Sequence, residues 1–492
     1  MKQITTVILA AAAAIAISTT ASAHRPDEFD GGKTADFLNI IAKNKARLLE
    51  AHGVSNLGDT AAQRSAAMTS IATTSKGKRS TFARCRRGLA DGQYPCKKVD
   101  LLAHLDITDL GVSFVNDIWG WTDPRTRREY ALVGAVEGTI AVDVSRPWRP
   151  KVVGFLPASA IDPDREIWRD IKVYKDHAFI GSEAANHGLQ VLDLRTLRTL
   201  RGLTGRDGPV TLENAAVYNE FSSSHNVAIN EDTGFAYVVG ANTCRGGLEM
   251  IDISDPSNPT NAGCFSEHGY VHDTQCVIYK GPDRRYRGRE ICFNSSANRG
   301  GLDGAPFFNT LSIVDVTDKD DVQIIANKPY EGGFGYSHQG WLTPDQAYFI
   351  HDDELDEFFE SVSTTTTRLW DLHDLENPDL FATTTNGQTS IDHNLYTRGR
   401  YSFASNYTSG LRIFDISKVG DGRYDEVAFF DMYPENDNAS FEGGTWSNYP
   451  YFKRRNVIAV SSMDRGLFIL RPRLPFFYGD DDDDDGDGDD DD

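Results

Sequence analysis

From about residue 112 onward, apolar and polar positions alternate in short runs, the period of half-buried strands. One string returns along this pattern. It reads TIAVD at Thr139–Asp143, LQVLD at Leu189–Asp193, LEMID at Leu248–Asp252, LSIVD at Leu311–Asp315, TRLWD at Thr367–Asp371 and LRIFD at Leu411–Asp415. A seventh copy, LFILR at Leu467–Arg471, lacks the Asp. The copies end 50, 59, 63, 56, 44 and 56 residues apart. A period near fifty built from short alternating strands is the signature of propeller blades. Turns such as DPSNP at 255–259 follow the string, where proline ends one strand before the next begins.

Each repeat reads as four strands, a to d, with the Asp string as c and its Asp bonding the following turn. The third repeat places a at Val227–Ile229, b at Phe235–Val239, c at Leu248–Ile253 and d around Ala262–Phe265. The seventh has no d strand. Val99–Leu105 (VDLLAHL) has the character of one and precedes the first repeat. Pairing it with the last blade would remove a free sheet edge. The expectation is an all-β, seven-bladed β-propeller over 81–473, closed in this way; an open stack or solenoid is the alternative.

The ends read differently. Residues 1–23 resemble a secretion signal, with Lys2, an apolar run from Ile4 to Ile17 and a small-residue site at Ala21–Ala23. From Thr34 to His52, Phe37, Ile40, Ile41, Leu48 and Leu49 fall at helical spacing before Gly53. With an Ala-rich stretch at 60–72 and a linker to Ser80, 24–80 is expected to be a short helical N-terminal extension without a chemical role. Residues 474–492 form an acidic tail with 11 Asp between Asp480 and Asp492. Solvated disorder suits it. Calcium is a minor alternative there, since Asp485–Asp489 has calcium-loop spacing but no closing Glu.

A formal charge of −22 argues against nucleic acid, which needs a basic face, and favours a cationic ligand. Six cysteines after an export signal point to disulfides. Cys276 and Cys292 flank the middle of a predicted hairpin symmetrically, Cys85 and Cys96 close a short loop, and Cys244 and Cys264 remain within one repeat. A Cys-rich metal site is the alternative, but no CxxC pair is present.

Aligning the starts of the a strands gives two columns. The first is Asn116, Arg169, His225, His272, His338, His393, Trp446; the second is Asp117, Asp170, Asn226, Asp273, Gln339, Asn394, Ser447. Four of the chain's 12 histidines thus share one repeat position. The b–c loops reach the same face with Glu137, Glu183, His187, Asn242, Asn294, the run His351–Glu354, Asn406 and Asp464. Candidate metal ligands are His225, His272, His338, His393, Asp273, Asp352 and Asp353. Glu183, His187, Asn242, Asn294, Asn406 and Asp464 are candidate ligand contacts. Such residues also cap turns and tie blades together, and Asp117 and Asp170 are expected to do so. Trp119, Trp121, Trp168 and Trp341 are expected to pack blades rather than to stack on a sugar.

Several longer motifs carry a family resemblance: YPC at Tyr94–Cys96, VDLL at Val99–Leu102, WGWTDP at Trp119–Pro124, EYALV at Glu129–Val133, WRDIKVY at Trp168–Tyr174 and HGLQVLD at His187–Asp193. Over 82–473 the chain resembles the choice-of-anchor B family, built on LVIVD-type repeats. The resemblance implies a propeller exported to a bacterial surface or envelope, and transfers no catalytic residue. The C terminus departs from the family, ending in FFY at 476–478 and the Asp run.

The function expected from the sequence is a monomeric binding module, extracellular, surface-exposed or periplasmic. It would take a small ligand or an envelope or surface protein on the histidine-rich face, with no transmembrane segment in the mature chain. The alternative is a metal-dependent oxidoreductase or hydrolase with a transition metal held by those histidines.

Overall fold

The computed structural model describes residues 32–53, 63–64, 66–67, 82–162, 165–200, 209–298, 308–330 and 336–475. The signal segment, most of the Ala-rich stretch at 60–72, the linker to Ser80 and the tail from 476 onward lie outside the described residues. No described helix is long and apolar enough to cross a membrane.

Alternating patterns put one face of each strand on the sheet in front and the other on the sheet behind, so neighbouring sheets stack face to face. Seven sheets, each with a four-stranded antiparallel core, result. Their innermost strands are Val115–Thr122, Arg169–Tyr174, Asn226–Asn230, Asp273–Ile278, Ser337–Leu342, Leu395–Arg398 and Thr445–Tyr449. Each packs against the one before and the one after, and the seventh packs against the first. The ring is closed. Apolar clusters between blades form its core, such as Ile118, Val133, Ile140 and Val142 with Ala459 and Ile469.

Val99–Leu105 is the outermost strand of blade seven, running antiparallel to Gly466–Pro472 with Leu101 opposite Leu470 and Leu105 opposite Leu467. Two repeat features show that it occupies a true d position. A register shift interrupts the c–d ladder in blades one, three, four, five and six, and the same shift falls between Leu101 and Ala103. A glycine with positive φ opens strand c in several blades, where a Cβ would strike a carbonyl of strand d. Gly410 (φ 81°) would meet Phe430 O at 2.4 Å, and Gly466 (φ 91°) would meet Leu105 O at 2.3 Å.

The Asp ending each c strand is structural. Asp143, Asp193, Asp252, Asp315, Asp371 and Asp415 each accept the backbone N–H two residues on, which turns the chain toward strand d. The disulfides are Cys85–Cys96, Cys244–Cys264 and Cys276–Cys292. The third joins residues facing each other on strands a and b of blade four. The first ties the hairpin that extends blade six beyond its own d strand.

Helix α1 spans Lys33–His52 and stops at Gly53, whose left-handed φ of 71° lets its N–H bond back to Leu49 O. Its buried stripe is Lys33, Phe37, Ile40, Ile41, Asn44 and Leu48. Leu49 falls off that stripe and is 48% exposed, a correction to the expected apolar set. The helix lies on the propeller, with Phe37 packed among Phe114, Trp168, Phe441 and Trp446. Asn44 donates to Ser113 O, and Arg47 donates to Asp106 and to Asp464 O.

Candidate functional site at the hub

The four repeat histidines converge. Their rings follow one another from blade three to blade six, with centroids 4.3 Å apart for His225–His272, 4.2 Å for His272–His338 and 4.4 Å for His338–His393. Each ring is anchored through Nδ1 to an oxygen: His225 to Glu183 Oε1, His272 to His338 O, His338 to Asp352 Oδ1 and His393 to Trp446 O. The bonds of His272 and His393 latch one blade to the next. A neutral imidazole donating from Nδ1 carries its lone pair on Nε2, the arrangement found in metal-ligating histidines.

Glu354 completes the cluster. It is buried, accepts from Tyr407 OH at 2.6 Å, and has Oε1 3.7 Å from His393 Nε2. Lys33 of α1 reaches down to pair with the same carboxylate. Ligand atoms of His338, Glu354 and His393 lie within 4.8 Å of one another. Burial, reinforced by neighbouring histidines, holds His272 and His338 well below the usual imidazole range, and burial takes His393 to about 4. Burial would raise Glu354, but Lys33 and the imidazoles outweigh it and hold it at about 2. At neutral pH His272, His338 and His393 are therefore neutral, and the ionised Glu354 beside them is paired with Lys33 of α1.

The other sequence candidates divide. Asp352 reaches the hub as the partner of His338 and also accepts from Gln339 N–H. Glu183 reaches it through His225. Asp353 instead accepts from Tyr336 N–H and Tyr330 OH, bracing a loop. His187 is buried against Arg169, whose Nη1 lies 2.9 Å from His187 Nε2. Asn242 caps the backbone N–H groups of Ser222 and Ser223. Asn294 accepts from Thr274 Oγ1, and Asp464 accepts from Gly444 N–H and Ser462 Oγ. Asn406 is buried, and its backbone carbonyl accepts from Ser409 N–H.

Asp273 faces the opposite opening. There a cavity of about 420 Å³ is lined by Trp119, Trp341, Tyr449, Tyr451, Lys172 and Asp273. Burial pushes Asp273 up to about 7 despite the Lys172 charge. Trp119 and Trp341 pack against inter-blade clusters as expected and in addition line this cavity, whereas Trp121 and Trp168 are buried. Asp117 and Asp170 accept backbone N–H groups of Ile171 and Val227 from the next blade, as expected.

Sequence reasoning missed Lys33, because an extension has no repeat partner to align with. It placed Glu354 in a loop without naming it as a ligand. It also missed Asp356, Glu357 and Asp392. The signal for Asp356 and Glu357 was the run HDDELDEFFE at 351–360, too acidic for a solvent-free segment unless something positive accompanies it; Asp392 lies outside that run.

Residues 223–266 match the LVIVD repeat model. No curated protein matches the chain in sequence. Among solved structures, Kuenenia stuttgartiensis hydrazine synthase is similar over 70% of this chain and 93% of that one, at 12% identity and a TM-score of 0.46. The computationally designed Ika8 protein matches over 74% and 85%, at 11% identity and 0.42. The Myceliophteria thermophila Cps50 (Swd1) β-propeller domain matches over 73% and 98%, at 9% identity and 0.44. Likeness at these scores carries no functional argument. With seven blades closed by the N-terminal strand and a matched repeat in blade three, the chain is a β-propeller carrying an LVIVD repeat.

Proposed function

We propose that this propeller is a binding module whose ligand site is the histidine-lined hub, and that the ligand selected there is a cation. One observation carries the reading: a buried carboxylate among neutral imidazoles already holds a positive charge, the Lys33 ammonium. A transition-metal ion would replace that ammonium. His338, His393 and Glu354 would hold it, with Asp352 and Trp446 O fixing the rings from behind.

The test is elemental analysis and zinc or copper titration of the full chain purified without a His-tag. Wild type should bind one ion per chain, at least about tenfold more tightly in Lys33→Ala because the competing ammonium is gone, and binding should be lost in His338→Ala with His393→Ala. Absence of bound transition metal in both wild type and Lys33→Ala overturns the reading.

A metalloenzyme, oxidoreductase or hydrolase, is the second reading. It is favoured by the pairing of two histidines with one carboxylate, a set that leaves coordination positions open for chemistry. Binding ranks ahead because α1 lies over the mouth through which a substrate would come. Three disulfides fit an oxidising compartment. Export through residues 1–23, membership of the choice-of-anchor B family and a surface or envelope partner belong to the same proposal.

A further inference from the structure

A second cluster lies beside the hub, behind the histidines. Asp356 and Glu357 follow strand b of blade five (Tyr348–Asp353), and Asp392 lies in the connection from blade five to strand a of blade six. One carboxylate oxygen from each lies within 4.8 Å of the other two. The residues are 0%, 3% and 2% exposed.

Their partners do not satisfy them. Arg368 Nη2 donates to Asp356 Oδ2 at 2.6 Å, and Thr366 N–H donates to Glu357 Oε1 at 2.8 Å. Asp356 Oδ1, Glu357 Oε2 and both carboxylate oxygens of Asp392 make no hydrogen bond among the described residues. Asp392 is therefore a fully buried carboxylate with neither oxygen bonded, aimed at two other carboxylates. Three acidic groups face one guanidinium. Burial and the facing acids push Asp392 and Glu357 far up, so without an ion they hold protons, and a cation in their midst would displace those protons and use the open oxygens.

We propose that Asp356, Glu357 and Asp392 form a site for a hard divalent cation, and that the cation is calcium. The donors are oxygens alone, which disfavours the nitrogen- and sulfur-seeking metals that suit the hub. Calcium accepts irregular sets of six to eight oxygens, including bidentate carboxylates, whereas magnesium needs a near-ideal octahedron and keeps several waters. Asp392, with both oxygens open, can bind in the bidentate mode. The ion would tie strand b of blade five to the start of blade six and so fix the segment carrying Asp352 and Glu354. The proposal does not depend on what the hub binds.

The experiment is thermal unfolding of the full chain in EGTA, in calcium chloride and in magnesium chloride, with calcium counted after desalting. Wild type should retain about one calcium per chain, and its Tm should rise on going from EGTA to calcium and much less with magnesium. Asp392→Asn, nearly isosteric and relieved of a buried acid, should fold in EGTA about as stably as wild type and lose the calcium-dependent rise. His338→Ala, which alters the hub, should keep it. A wild-type Tm indifferent to calcium, or a calcium rise surviving in Asp392→Asn (as binding to the Asp-rich tail would give), overturns the proposal. So does a rise lost in His338→Ala but kept in Asp392→Asn.

Discussion

His187 shows how a buried ionisable residue ties this fold to pH. It has the repeat histidines' chemistry without their position, and its ring accepts from Arg169 inside the protein. Burial first, then the Arg169 charge, hold it down to about 3. The unfolded chain takes up a proton near the ordinary value of about 6.5, and the folded chain refuses it until about 3. The group's stabilisation is therefore complete above pH 6.5 and is lost progressively as pH falls toward 3. Between pH 6.5 and 5 the loss is about 2 kcal/mol. His187→Gln can still accept from Arg169 and has no proton to gain. Chemical denaturation at pH 7 and pH 5 should show the gap between wild type and variant narrowing by about that amount; a gap constant with pH would mean that His187 titrates normally.

Among the elements, α1 stands apart because it belongs to no blade. A helix of this length is marginal in water by itself, so its order comes from the mouth it covers. Phe37 is the anchor, fully buried among four aromatic rings with centroids 5.3 to 6.4 Å away. Phe37→Ala removes about 3–5 kcal/mol of packing, more than the remaining polar contacts of one helix replace. Hydrogen exchange should show α1 amides losing protection while the inner strands of all seven blades keep theirs. If the blades lose protection together with α1, the helix is an integral part of the ring. The same undocking would carry Lys33 away from Glu354, so one element links the order of the extension to the charge of the hub.

For the whole molecule, closure is the decisive contact, because it joins residues more than 360 positions apart. Gly466 lies at that seam with φ 91°, and a Cβ there would meet Leu105 O at 2.3 Å. Gly387 has a similar φ of 78° but open space around it. Gly387→Ala should cost only the backbone term, about 1 kcal/mol. Gly466→Ala should cost about 1–3 kcal/mol more, because the closing strand must shift or the turn must deform. Urea midpoints of the two variants measure the difference. Equal losses would show that the seam yields freely and that closure contributes little to stability.

Much of this architecture was legible in the chain, because a repeat states the same local rule several times. The recurring c-strand strings, the turns after them and the unpaired Val99–Leu105 pointed to seven blades and their closure, since strand period and edge pairing are short-range physics. The disulfide between Cys276 and Cys292 followed from hairpin symmetry for the same reason. The histidine column was legible too, as four equivalent positions that a closed ring must gather. What lay outside the repeat was not. Lys33 on Glu354, Trp119 and Trp341 in a cavity wall, and Asp392 facing Asp356 and Glu357 arise where non-equivalent segments meet in space. The sequence by itself determined the wheel and the column of imidazoles at its centre. Only the tertiary structure decided which charges are buried beside them, because burial and pairing depend on neighbours that no periodicity encodes.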